Sequence, residues 1–172
     1  MPIIYTSGDE IEVYRFNLLT TILVPLLAVF LQVLLPQRFH FFVIFDLPLL
    51  VTIFFAVARR NPIAGLITGA LIGTLQDSLT SQPIGLYGIA KTVVGFAASS
   101  LGAKLDVENV GSRFLVTLSF SFVHEAVYFL VAKVLVRMRL EWNWGHEVGS
   151  ALANAILAVV LFAALDKLKQ RA

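Results

Sequence analysis

Cysteine is absent from this sequence, which excludes both disulfides and thiolate metal sites. Charge is scarce. Only 14% of residues are charged, against about 25% in ordinary soluble domains. Histidine occurs three times, at His40, His124 and His146, too few and too scattered for a metal site. A basic leader is missing too: Met1 to Arg15 carries Asp9, Glu10 and Glu12 where a secretory signal would have lysines or arginines. The first apolar run is therefore expected to be retained as a membrane helix. Apolar residues fill the place that charge leaves, at 58% of the chain and a mean hydropathy of +0.85. A soluble domain of 172 residues could not hide that surface.

A hydrocarbon core about 30 Å thick needs about 20 apolar residues per helix. The chain accommodates six such spans: roughly 16–35, 41–58, 62–79, 84–103, 114–136 and 147–165. The expected fold is an all-α polytopic membrane protein, a single transmembrane domain over residues 1–172 built as a six-helix bundle. The second and third spans are short enough to leave five possible. Pro25 suggests a kink in the first span, and Pro36, Gln37 and Arg38 suggest a tight turn after it. Asp46-Leu47-Pro48 lies either near the outer surface or at a break in the second span. Asn61-Pro62 reads as an N-cap followed by proline at the first helical position of the third.

Alternating six spans puts Arg15, Arg59, Arg60, Lys104, Arg113, Lys167, Lys169 and Arg171 on one side of the membrane. Arg38, Lys133, Arg137 and Arg139 fall on the other. Eight against four favours the first side as cytoplasmic, with both termini inside. Trp142 and Trp144 then suit an aromatic belt at the outer interface. The connections are about ten residues or fewer, and no internal repeat of the transporter kind is visible.

Polar residues within such spans carry the most information, because an ionised side chain in hydrocarbon is costly and marks a functional position by default. Asp46, Asp77, Lys91, His124 and Glu125 are the ionisable candidates, with Asn154 as a neutral one. Thr117, Ser121, Glu125 and Tyr128 make a polar stripe along the fifth span, which must face protein or water. The third and fourth spans form an antiparallel hairpin in which Asp77 and Lys91 can meet, with Glu125 competing for the lysine. A buried polar network that fixes helix packing is the simpler reading. A transport or catalytic site is the sharper one.

Known catalytic patterns do not fit. His124-Glu125-Ala126-Val127-Tyr128 has tyrosine where the zinc-protease motif needs its second histidine. GLITGALIG lies inside a membrane helix and lacks the Gly-Lys-Ser/Thr that binds phosphate. No serine sits in a nucleophile-elbow context. Neither a catalytic residue nor a cofactor is expected.

Gly65, Gly69 and Gly73 recur every fourth residue and so share one helix face. Such a face lets another backbone approach closely, the usual way for membrane helices to associate. Gly85 and Gly88 open the fourth span, and Gly149 with Ala153 repeats the small-residue spacing in the last. These seven are candidates for helix packing or for contact with a partner helix.

The run GLITGALIGTLQDSLTSQPIGLYGIAKTVVGF resembles the core pattern of the rod shape-determining MreD family. The glycine-spaced helix ends in an aspartate, and a short loop with Pro-Ile-Gly leads to a second helix. The matching positions are Gly65, Gly69, Gly73, Asp77, Pro83, Ile84 and Gly85. Asp46-Leu47-Pro48-Leu49-Leu50 resembles the family's acidic-apolar approach to the second span. Gly73-Thr74-Leu75-Gln76-Asp77 departs slightly from the usual Gly-Leu-x-x-Asp.

The resemblance implies a non-enzymatic component of the bacterial elongation machinery in the cytoplasmic membrane. Its expected direct partner is MreC, a single-span protein. MreB, RodA and a class B penicillin-binding protein follow through the complex, and no nucleic acid is involved. It further implies a bundle similar to the substrate-binding subunits of energy-coupling-factor transporters. The alternative is a small-solute-binding transporter subunit, with Lys91, His124, Glu125 and Asn154 lining a polar pocket. Short outer loops speak against it, since a bound solute needs a cap.

Overall fold

The computed structural model describes residues 14–102, 109–168 and 170–171. The acidic stretch with Asp9, Glu10 and Glu12 lies outside the described residues, as do Lys104 and Lys169 of the charge count. Six α-helices follow one another: α1 (Leu18–Arg38), α2 (Leu47–Arg59), α3 (Pro62–Leu79), α4 (Leu86–Gly102), α5 (Val110–Val134) and α6 (Trp144–Leu165). A 3-10 helix, His40–Ile44, precedes α2, and another, Asp166–Leu168, follows α6. Two short strands, β1 (Tyr14–Arg15) and β2 (Gln170–Arg171), pair antiparallel. That pairing brings both ends of the described chain to one end of the bundle, here called the terminal end.

By length and composition α1, α5 and α6 with its following turn can each cross a membrane. The molecule is a membrane protein. α2 is apolar but has only 13 residues.

The expected second span, 41–58, is not one helix. It breaks at Phe45–Asp46, between the 3-10 turn and α2. Asp46 caps the new start, its Oδ1 accepting the Leu49 N–H at 2.9 Å, and Pro48 follows within the first turn. The expected tight turn at Pro36–Arg38 is instead the last turn of α1, which runs through both Pro25 and Pro36. Helices α5 and α6 begin earlier than expected because Asn109 and Asn143 cap them, accepting the Gly111 N–H at 3.0 Å and the Gly145 N–H at 3.1 Å. A helix, α3, covers the residues 62–79 expected as the third span, capped by Asn61 with Pro62 next.

Helix α2 is the centre. Every residue from Pro48 to Ala56 is buried, the pattern of a helix apolar on all sides. Its Leu49, Leu50, Ile53, Phe54 and Phe55 gather residues of α1, α3, α4, α5 and α6 into one core. At the terminal end Arg59 closes this core. Its Nη2 donates to Thr21 Oγ1 at 2.6 Å, and its guanidinium lies over the rings of Phe16 and Phe55 at 5.8 and 5.4 Å. Arg113 and Asp166 join α5 to the turn after α6 by an ion pair of 2.6 Å.

Helices α3 and α4 make the closest pair. A Cβ on Gly65 would collide with the Gly95 carbonyl, one on Gly69 with the Lys91 carbonyl, and one on Gly73 with the Tyr87 carbonyl. Gly95 returns the relation, since its own Cβ would strike the Gly65 carbonyl. The glycine row therefore seats a helix of the same chain.

Candidate functional site

A break between two helices leaves backbone groups without intrahelical partners, and where they are buried they need others. Side chains from two neighbouring helices meet that need here. From α1, Gln32 donates through Nε2 to the Phe45 carbonyl at 2.8 Å and accepts the Leu47 N–H through Oε1 at 3.0 Å. From α6, Ser150 donates to the Ile44 carbonyl at 2.7 Å, joined by Asn154 Nδ2 at 3.2 Å. Asn154 Oδ1 accepts the Asp46 N–H at 2.9 Å. Each amide uses its carbonyl and its NH2 on opposite sides of the break, since an Asn or Gln side chain carries both an acceptor and a donor group. The break is thus built into the fold.

Asp46 is the hub. Its Oδ1 caps α2, and its Oδ2 accepts from Lys91 Nζ of α4 at 2.6 Å. Lys91 is fully buried, and a lone ammonium there would be very costly. Three contacts offset that cost: the Asp46 carboxylate, His124 Nε2 at 3.2 Å, and the face of Tyr87 with Nζ 4.7 Å from the ring centroid. His124 of α5, equally buried, brings Nδ1 to 3.3 Å from Glu125 Oε1. The imidazole also lies nearly parallel to Tyr87, with centroids 5.8 Å apart, and near Tyr128 at 6.5 Å. The chain of contact is Asp46–Lys91–His124–Glu125; its two middle members are fully buried, while the side chains at its ends are partly exposed, Asp46 by 13% and Glu125 by 27%.

Of the expected polar residues, Lys91, His124 and Glu125 come together, while Asn154 reaches them through the Asp46 backbone. Asp77 does not join Lys91. Its carboxylate turns to the start of α4, where Oδ2 accepts the N–H groups of Gly85 and Gly88 at 2.8 and 3.1 Å and Oδ1 that of Tyr87 at 2.9 Å. Those are the orphan donors of a helix N-terminus, where the dipole also favours an anion. An ordinary N-cap would precede its helix by one residue. Asp77 does the same work from the end of the neighbouring helix.

Gly85 has φ of 106°, a conformation that suits glycine and turns the chain into α4. Gly88 gives room to Thr74 and Asp77. Gly149 is exposed and a Cβ there would meet nothing within 4 Å, while Ala153 is half-buried. The sequence marked Asp46 as an ionisable candidate at a break or near the surface, without giving it a partner. Its position two residues before Pro48 was the available sign of a cap. Gln32, one uncharged polar residue in an apolar run, gave little signal of its own.

Chemically, the cluster can hold helices together through its charge pairs. Among the described residues no group of three or more His, Asp or Glu side chains is arranged to hold a metal ion. A comparison with protein-family models matches the one described as rod shape-determining protein MreD over residues 14–172. No curated protein and no solved structure matches.

Proposed function

The chain belongs to the rod shape-determining protein MreD family, and from that premise we propose that it is a non-enzymatic scaffold of the cell-wall elongation machinery. Membership implies a role in determining rod shape. In our reading the bundle binds MreC directly and, through it, helps regulate peptidoglycan synthesis together with MreB, RodA and a class B penicillin-binding protein. We place it in the bacterial cytoplasmic membrane with the terminal end inside, as the excess of lysine and arginine there favours. We also read its helical bundle as akin to the substrate-binding subunits of energy-coupling-factor transporters.

One observation carries the scaffold reading beyond family membership: the charged groups of the interior are engaged with one another across helices. Lys91, the residue a bound solute would need most, is fully buried and already held by Asp46 at 2.6 Å. That arrangement favours the scaffold over the solute-binding alternative. Apolar surface, by contrast, remains open. In the span of α1 only 17% is buried within the bundle, and Leu19, Leu23, Leu27 and Phe30 face outward. A helix covered so little by its own chain suits contact with the single span of a partner.

The test is affinity purification in mild detergent, followed by identification of single-span proteins that co-purify. Recovery of MreC at a stoichiometric level is the expected result. A bundle that purifies folded but alone from a cell expressing MreC would overturn the reading.

A further inference from the structure

His124 stands where charged side chains from three elements converge. Its Nε2 lies 3.2 Å from Lys91 Nζ and 3.8 Å from Asp46 Oδ2, and its Nδ1 lies 3.3 Å from Glu125 Oε1. An ammonium group only donates. While Lys91 is charged, Nε2 must therefore accept, which puts the ring proton on Nδ1, facing the Glu125 carboxylate. One neutral tautomer serves both contacts.

A second proton changes this. Taken from the aqueous medium onto Nε2, it turns that nitrogen from acceptor to donor and adds one positive charge to the ring. Nε2 then opposes the Lys91 ammonium across a buried contact. The nearest carboxylate oxygen is Asp46 Oδ2, which Lys91 already holds. We propose that His124 is a proton-operated switch: its protonation makes it compete with Lys91 for Asp46 Oδ2 and so resets how the break before α2 is held.

The geometry makes that competition matter. Asp46 caps α2 through Oδ1, and its N–H is fixed by Asn154 of α6. The flanking Phe45 and Leu47 are fixed by Gln32 of α1. A displaced Asp46 is thus felt by α1, α2 and α6 together.

The groups that face His124 come from every neighbouring element. α4 supplies Lys91 and Tyr87, and the segment before α2 supplies Asp46. On its own helix are Glu125 and Tyr128. From α6, Glu147 lies within electrostatic reach and is itself paired with His146 at 3.5 Å. Asp77 of α3 is held by the backbone of α4. Glu125 stabilises the imidazolium through Nδ1–H and, being partly exposed, links the cluster to the surface. The proposal stands on this geometry and does not depend on which partner the bundle binds.

Because the chain has no cysteine, a spin-label pair can be placed at will. Val43→Cys, in the 3-10 turn before the break, and Val148→Cys, on α6, both occupy exposed positions. Pulsed electron resonance in lipid nanodiscs would read their separation between about pH 5 and 8. The expected result is a distance distribution that shifts with pH, and a shift that disappears with His124→Gln. An identical distribution across the interval, or the same shift in the Gln variant, overturns the switch.

Should His124→Gln fail to fold, nitrogen-15 histidine spectra of the native sequence decide instead. Signals from His40 and His146 are assigned by His40→Asn and His146→Asn. His124 is expected to begin with its proton on Nδ1 and to convert to imidazolium while the fold persists. A His124 protonated on Nε2, or one that never titrates in the folded protein, overturns the proposal equally.

Discussion

Lys91 and Asp46 are 45 positions apart in the chain and 2.6 Å apart in the fold. Removing either one leaves the other charged and buried, a change that typically costs about 3–5 kcal/mol, whereas replacing both sides of such a pair is often nearly neutral. Lys91→Met is therefore expected to lose about that much stability. Adding Asp46→Asn, whose amide can still cap α2, is expected to restore a large part. Equilibrium unfolding in mixed micelles would measure this, and strictly additive losses would show that the pair is not coupled.

The same measurement separates Asp77 from this cluster. Asp77 bonds three backbone N–H groups and no side chain. Asp77→Ala is expected to cost about 1.5–3 kcal/mol for each charge-assisted bond that water does not replace. Its coupling to Lys91→Met should be much smaller than that of Asp46→Asn. A larger Asp77–Lys91 coupling would return Asp77 to the network.

How much of this was legible depends on which forces act locally. Asn61 with Pro62, and the glycines of α3, announce themselves by spacing, and α3 falls where those signals put it. Lys91, His124 and Glu125 were legible as costly charges in an apolar run, because hydrocarbon makes any ionisable group conspicuous. Their partner was not. Helix arithmetic offered Asp77 and Glu125 to Lys91 and not Asp46, because that contact is made by the broken start of α2, a tertiary feature. Gln32 and Ser150 act on backbone groups, which leave no trace in side-chain patterns. The exit of α1 was misread because Pro36 removes one N–H bond to the preceding turn without ending the helix, which runs on to Arg38.

The bonds across the break offer a further test. Gln32→Ala leaves the Phe45 carbonyl and the Leu47 N–H without their partner, and Asn154→Ala does the same for the Asp46 N–H. An unsatisfied buried polar group costs about 1–3 kcal/mol. Each variant should therefore destabilise by at least that amount. Hydrogen exchange should rise at Asp46 and Leu47 before it rises in α3. Protection that is lost uniformly over the bundle would mean that the break is not a separate unit of stability.

The glycines give the sharpest contrast, because one chemical change has opposite expected outcomes at two positions. At Gly69 an added methyl group meets the Lys91 carbonyl, a backbone atom that can yield only if α4 moves away. Overpacking of this kind costs about 1–3 kcal/mol. Moving α4 would also displace Lys91, so Gly69→Ala should weaken the Asp46 ion pair as well as the helix contact. At Gly149 the added methyl meets nothing, and the exchange removes backbone freedom from a helix, worth about 0.5–1 kcal/mol in favour of alanine. Gly149→Ala is accordingly expected to leave unfolding unchanged or to raise its midpoint. Gly69→Leu should reduce folded protein outright. A Gly69→Leu variant with native levels of folded protein would show that α3 and α4 do not rely on the close approach of their backbones. Should Gly149→Leu fold normally yet lose its co-purified partner, the small-residue face of α6 would be identified as an outward contact, the role that the row on α3 gives up by packing against α4.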